Sequence, residues 1–220
     1  VPFADPMLVH APEGIDPANI ASVSDNVPDG WRTVAGPLAQ WPGAPVLVVG
    51  GALASISLYA VQCARALGAE RVDFVDHDAE RLALAEELGA QPIEAAPSGQ
   101  EGPYEGGFPE RLGPYPITVD ASAHPAGLAC ALRSTERDGT STSAGIYWGP
   151  TTPVPLFEMY TKGITFRTGR VHARSLIPEV LELIGAGRIR PEEVTTAVVP
   201  WDDAAEVLAT PRTKLVVTRD

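Results

Sequence analysis

Val46-Leu47-Val48-Val49-Gly50-Gly51, a helix-like run closing at Gly68, and then Val72-Asp73-Phe74-Val75-Asp76 read together as strand, tight turn, helix and a second strand ending in an acid. An uninterrupted apolar, β-branched run suits a strand covered on both faces of a parallel sheet. Glycines after it let the backbone turn and approach a pyrophosphate at a helix N-terminus. A carboxylate at the tip of the second strand can accept hydrogen bonds from both ribose hydroxyls and would repel a 2′-phosphate, so Asp76 points to NAD over NADP. The glycine pattern departs from G-x-G-x-x-G: Gly50-Gly51 is followed by Ala52, Leu53, Ala54, Ser55, Ile56 and Ser57. Small residues there still permit close helix-to-strand packing, although an Ala52 methyl could hold a pyrophosphate off. Without its strand context, Asp76 would read as a solvated loop carboxylate beside Asp78 and Glu80.

Working outward, Asp78 to Leu88 reads as a helix with Leu82, Leu84, Ala85 and Leu88 along it and Gly89 at its end. Ile93 marks a short third strand. Ile117 to Ala121 is expected as a strand, Pro125 to Leu132 as a helix and Gly139 to Tyr147 as a strand. A strand at Ile164 to Phe166, a helix from Leu176 to Ile184, a segment Thr195 to Val199, a helix from Asp202 to Leu208 and a strand Lys214 to Val217 complete the chain, with a further early strand at Met7 to Val9. Strands alternating with helices give an α/β fold with a doubly wound parallel sheet. The Pro/Gly-rich tract from Ala96 to Gly107 reads as a surface loop.

Composition bounds the rest. The chain has 220 residues and a net charge of -12, with no Lys/Arg cluster suited to a nucleic-acid backbone. No apolar run reaches a membrane span and no signal core opens the chain, so neither nucleic acid nor membrane is expected as a partner, and the cytoplasm is the expected location. Cys63 and Cys130 are the only cysteines and form no C-x-x-C pair, which excludes a self-contained cysteine-type zinc site. Both read as buried packing residues.

Gly36-Pro37-Leu38, Ala64-Arg65-Ala66-Leu67-Gly68-Ala69, Val75-Asp76, Val119-Asp120-Ala121 and Arg212-Thr213-Lys214-Leu215-Val216 together resemble the medium-chain, zinc-dependent alcohol dehydrogenases. The resemblance implies a Rossmann domain, over residues 31–167, flanked by remnants of a GroES-like catalytic domain: the end of its N-terminal segment at 1–30 and its returning tail at 168–220. The tract from Ala21 to Trp31 is similar to the one that carries the third catalytic zinc ligand. Asp25 stands where much of the family has Cys, as in the formaldehyde- and threonine-dehydrogenase-like branch. A carboxylate oxygen can complete a tetrahedral zinc site, whereas the local alternative for Asp25 is a plain helix N-cap. The other ligands and the catalytic proton relay are expected upstream of Val1, so zinc is implied only if those ligands are supplied. None of His10, His77, His124 and His172 matches them.

The same resemblance assigns cofactor contacts to Gly50, Gly51, Ala52, Ser55 and Asp76. It also assigns Asp120 and Ala121, beside Ser122, to the adenosine border, and Ala144, Gly145 and Ile146 to the nicotinamide. Ile164 and Phe166 correspond to the residues that hold the carboxamide, and Lys214 to the cation that neutralises the pyrophosphate, its alternative being a solvated lysine. Trp31, Tyr147 and Trp148 are aromatics placed to border a substrate or to pack. The implied function is reversible hydride transfer between a small alcohol or aldehyde and NAD, in a homo-oligomer extended across the strand near Ile164. A non-catalytic dinucleotide-binding or assembly module is the alternative. The early and late strands are expected to leave open edges that favour self-association.

Overall fold

The computed structural model describes residues 3–96 and 106–219. Most of the Ala96 to Gly107 loop reading therefore lies outside the described residues. In chain order the elements are α1 (Ala4–Met7), a 3-10 segment (Pro17–Ser24), α2 (Asn26–Gln40), β1 (Val46–Val49), α3 (Ala54–Ala66), β2 (Val72–Asp76), α4 (Ala79–Glu87) and β3 (Gln91–Glu94). They continue with β4 (Tyr115–Asp120), α5 (Pro125–Ser134), β5 (Thr135–Ser143), α6 (Leu156–Lys162), β6 (Thr165–Thr168), α7 (Ala173–Gly185), β7 (Ala197–Pro200), α8 (Ala204–Val207) and β8 (Leu215–Thr218), with 3-10 turns at Pro191–Val194 and Trp201–Asp203.

β1 organises the molecule. Its four side chains alternate between two cores: Val46 and Val48 join α2, α3 and α7 on one face, while Leu47 and Val49 meet Val75, Phe108, Tyr115, Cys130 and Ala131 on the other. All four are fully buried, which is why the strand reads as a continuous apolar run. The six strands run parallel in the order β3-β2-β1-β4-β5-β6. The chain reverses direction across the sheet between β1 and β4, and the strand ends open a crevice there. No helix among the described residues is long and apolar enough to cross a membrane.

The sequence reading offers a helix start beside Asp25 but gives no extent for α2, a helix that crosses the expected 30/31 boundary and contains Gly30, Gly36 and Pro37. Burial makes it: Val27 and Val34 are fully inaccessible and Leu38 nearly so. A methyl on Gly30 would lie 2.9 Å from Tyr59 Cβ, so α2 and α3 cross at a distance only glycine allows. Three expectations need correction. The Met7 to Val9 strand is absent: Met7 ends α1, and Leu8 and Val9 follow it without strand pairing. β8 pairs instead with β7, in parallel, as a separate two-stranded sheet. β5 runs from Thr135 to Ser143 and stops four residues before Tyr147. Its Thr140-Ser141-Thr142-Ser143 stretch is buried although every side chain carries a hydroxyl.

Candidate functional site at the crossover of the sheet

The glycine turn is built by close approach. Gly50 N–H donates to Val75 O at 2.8 Å. A methyl at position 50 would collide with the Asp76 carboxylate and lie 2.8 Å from Phe74 Cζ. Gly51 sits at φ +144°, and a methyl there would come within 2.9 Å of Ser122 Cα. The amides of Ala52 and Leu53 donate to Ser122 O (3.2 Å) and Ala121 O (3.1 Å), which ties the turn to the end of β4. Ala52 itself is exposed, with its methyl clear of this seam. Ser55 is buried, and its hydroxyl accepts from Asn26 Nδ2 at 2.8 Å, so it joins α3 to α2.

Two strand-end carboxylates flank this turn, and both are spoken for. Asp76 is fully buried and accepts from His77 N, Asp78 N and both Arg81 Nε (2.9 Å) and Nη2 (2.5 Å). Arg81, not Asp76, therefore faces the groove of about 400 Å3 that Gly51, Ala52, Ala54, Glu80 and Arg212 also line. Asp120, also fully buried, takes Ser122 Oγ (2.6 Å), Ser143 Oγ (2.6 Å) and Tyr147 OH (2.7 Å). Burial, reinforced by the Asp120 charge, raises the Tyr147 pKa. Tyr147 is thus a strut between the loop after β5 and the end of β4.

On the other side of the turn lies a wider cleft of about 790 Å3, where Asp25, Asp29, Leu53, Ala144, Gly145 and Ile146 meet Thr168 and Gly169. Asp25 holds the N-cap position of α2, yet its side chain makes no capping bond and is exposed. One turn on, Asp29 is 8% exposed. Its Oδ1 accepts from Arg32 Nε at 2.6 Å, and Arg32 Nη2 donates to Gly169 O at 2.9 Å, so one guanidinium ties α2 to the end of β6. Burial raises the Asp29 pKa and the Arg32 charge opposes that rise. Lys214 is half-buried: burial lowers its pKa, and the Asp25 charge works against the loss.

The structure thus gathers Asp25, Ala144, Gly145 and Ile146 in one cleft, with Gly50, Gly51, Ala52, Asp76, Asp120 and Ala121 beside it. It does not bring Ile164 and Phe166 to the cleft: both pack with Leu128, Leu132 and Met159, and Thr168, paired with Ser143, forms the β6 wall. Arg212, not Lys214, lines the groove at the glycine turn. Trp31 packs against the main core, and Trp148 is 90% exposed. Asp29, Arg81 and Thr168 were given no role from the sequence, and Arg212 was named only within the tail motif. A signal existed for Arg81, which follows the N-cap Asp78 by three positions and so returns over the acid-tipped strand. Among the described residues no group of three or more His, Cys, Asp or Glu side chains could hold a metal ion.

Comparison with known proteins identifies the family and the fold. A family described as zinc-binding dehydrogenase matches residues 55–186. A probable zinc-binding alcohol dehydrogenase of Mycobacterium tuberculosis is 28% identical over 97% of this chain and 54% of its own length. An L-threonine 3-dehydrogenase of Bacillus velezensis is 29% identical over 87% of this chain and 54% of its own length. Among solved structures, the alcohol dehydrogenase TADH of Thermus sp. ATN1 superposes with a TM-score of 0.76 at 26% identity, covering 96% of this chain and 62% of that one. The chain spans about half the length of the curated relatives it matches, and it belongs to the zinc-binding dehydrogenase family.

Proposed function

We propose that this chain carries the cofactor-binding part of an NAD-dependent oxidoreductase of the zinc alcohol dehydrogenase type, acting reversibly between a small alcohol and its carbonyl compound. The observation that carries the reading is the cleft at the crossover between β1 and β4. Asp25, the small residues Ala144 and Gly145, and Ile146 line it, and the glycine turn adjoins it. NAD, when bound, supplies the hydride acceptor. The glycine turn suits such a cofactor: Gly50 and Gly51, packed where a methyl would collide with Asp76 and Ser122, set the tight turn that leads into α3, and a helix N-terminus behind such a turn favours a pyrophosphate. Ala144 and Gly145 leave room for a flat ring, while Leu53, Ile56 and Ile146 exclude water around it. Arg81 and Arg212 face the phosphate side, and Asp78 and Glu80 in the same groove disfavour an additional phosphate on the ribose. Asp76 contributes by fixing Arg81. Asp25 alone does not fit zinc, and among the described residues no other side chains group with it into a metal site. No step is assigned to the metal.

The working form is read as a cytoplasmic homo-oligomer. β6 is an edge strand, and the adjoining α6 leaves Leu156, Phe157 and Tyr160 exposed at 67%, 79% and 83%. Sedimentation of a clean monomer at micromolar concentration contradicts that assignment. The function is tested on the whole protein by NADH fluorescence titration and by alcohol-dependent reduction of NAD with and without zinc. NADH binding that weakens in Gly51→Ala, with zinc-dependent turnover, supports it. A protein that binds neither NADH nor NADPH is instead the non-catalytic module.

A further inference from the structure

At the opposite end of the sheet from the crossover crevice, where β4 and β5 begin, a separate cleft of about 590 Å3 is lined by Arg111, Arg133, Arg137, Lys162 and Glu136. It lies at the last turns of α5 and α6, where the exposed carbonyl ends of helices attract cations. That attraction accounts for part of the arrangement. Lys162 Nζ donates to Arg133 O at 2.7 Å and Thr135 O at 2.8 Å, which uses two of its three N–H groups. Glu158 is divided: its Oε1 accepts from Arg133 Nε at 2.8 Å and its Oε2 from Arg111 Nη2 at 2.7 Å. Glu110 stands 3.9 Å from Arg133.

Among the described residues of this cleft, the charge of Arg137 is the one left unpaired. Arg137 is exposed, and no carboxylate among the described residues lies within ion-pair distance of it. Burial lowers the Lys162 pKa first, and the charges of Arg111 and Arg137 lower it further against Glu158, so three cations crowd one another across the cleft. Such a concentration is unexpected in a chain of net charge -12. We propose that this cleft is a binding site for a dianionic phosphate group on a small molecule, held between Arg111, Arg137 and the third N–H of Lys162. Guanidinium forks match phosphate oxygens bidentately, and Arg137 with the free Lys162 N–H offers donors that no carboxylate takes among the described residues.

Inorganic phosphate is the probe, titrated by calorimetry at ionic strength held constant with chloride. Saturable phosphate binding is expected, weaker by about tenfold in Arg137→Gln, the worth of one charge-assisted hydrogen bond. The double variant Arg111→Gln/Arg137→Gln should lose it. Arg212→Gln, at the cofactor groove, should keep it. Heat equal to that of the chloride blank, or affinity unchanged in Arg137→Gln and the double variant, overturns the proposal. So does binding lost only in Arg212→Gln, which would place the phosphate at the glycine turn.

Discussion

Two pairs of aspartates stand around the crossover crevice and differ in how fully their oxygens are taken up by the protein. Asp76 and Asp120, at the tips of β2 and β4, have no exposed surface and have their oxygens occupied by protein donors. Asp25 and Asp29, one turn apart on α2, line the wide cleft. Asp25 is exposed and makes no capping bond, and Asp29 is held by Arg32 through one oxygen. The difference teaches that an acid at a strand tip can serve the fold by positioning other groups, here Arg81 and Tyr147, while acids at a helix start remain available to a ligand. The comparison turns on burial and satisfied lone pairs rather than on sequence position.

The largest expected effect comes from breaking the buried pair. Arg81→Met strips two charge-assisted bonds from Asp76 and leaves a desolvated carboxylate with two backbone donors, which should cost about 3 to 5 kcal/mol in urea unfolding. A loss below about 1 kcal/mol would mean that water reaches Asp76, and the contrast with Asp25 would collapse. Next in size is Tyr147→Phe. It removes one hydroxyl donor from Asp120 while Ser122 and Ser143 still hold it, so a loss of about 1 kcal/mol is expected by the same measurement.

The strand-helix alternation was legible because burial on both faces leaves a plain signature: β1 is an unbroken apolar run, β2 and β4 are apolar apart from two polar residues each, and Gly68 and Gly89 close their helices at positive φ. Beyond its start at Asp25 the extent of α2 was not legible, because its glycines and prolines argue against a helix while the reason for Gly30 is the backbone of α3, distant in sequence. The early strand failed for a related cause. A strand needs a partner, and β8 found one in β7. At the site, Asp25 and the Ala144 to Ile146 wall could be read from resemblance. The β6 wall was misplaced by a few residues because its short pattern, Ile164 to Thr168, does not reveal which end reaches the cleft. That Asp76 is sequestered depends on the side-chain path of Arg81, which local spacing hints at but does not fix.

A pH series sharpens the other half of the comparison. The folded Asp29 carboxyl titrates above its ordinary value of 3.8 because burial disfavours the charge. The native state therefore holds that proton more tightly than the unfolded chain does. Its contribution to stability is complete below pH 3.8 and is lost as pH rises through the folded pKa. In Asp29→Asn this downward slope between pH 4 and neutrality should flatten, measured by urea midpoints at each pH. An unchanged slope would place its origin elsewhere. The change should be smaller than that for Tyr147→Phe, because the Arg32 charge already offsets much of the burial cost.

The smallest stability effect is expected at Asp25, and that smallness is what makes the position informative. An exposed carboxylate with no capping bond contributes little to the fold, so Asp25→Asn should move the unfolding free energy by less than about 0.5 kcal/mol. The half-buried Lys214 loses a nearby negative charge in that variant, and its ammonium should titrate lower still. Metal content of the whole protein after equilibrium dialysis reads the other side. Replacing the anionic carboxylate by a neutral, weakly ligating carboxamide should weaken zinc retention by more than about tenfold, since even residues that only support metal ligands are worth that much. Unchanged metal content together with unchanged stability would leave Asp25 as a helix-start residue and nothing more. A fall in metal content with stability intact would separate it cleanly from Asp76 and Asp120, whose buried oxygens are taken up by protein donors.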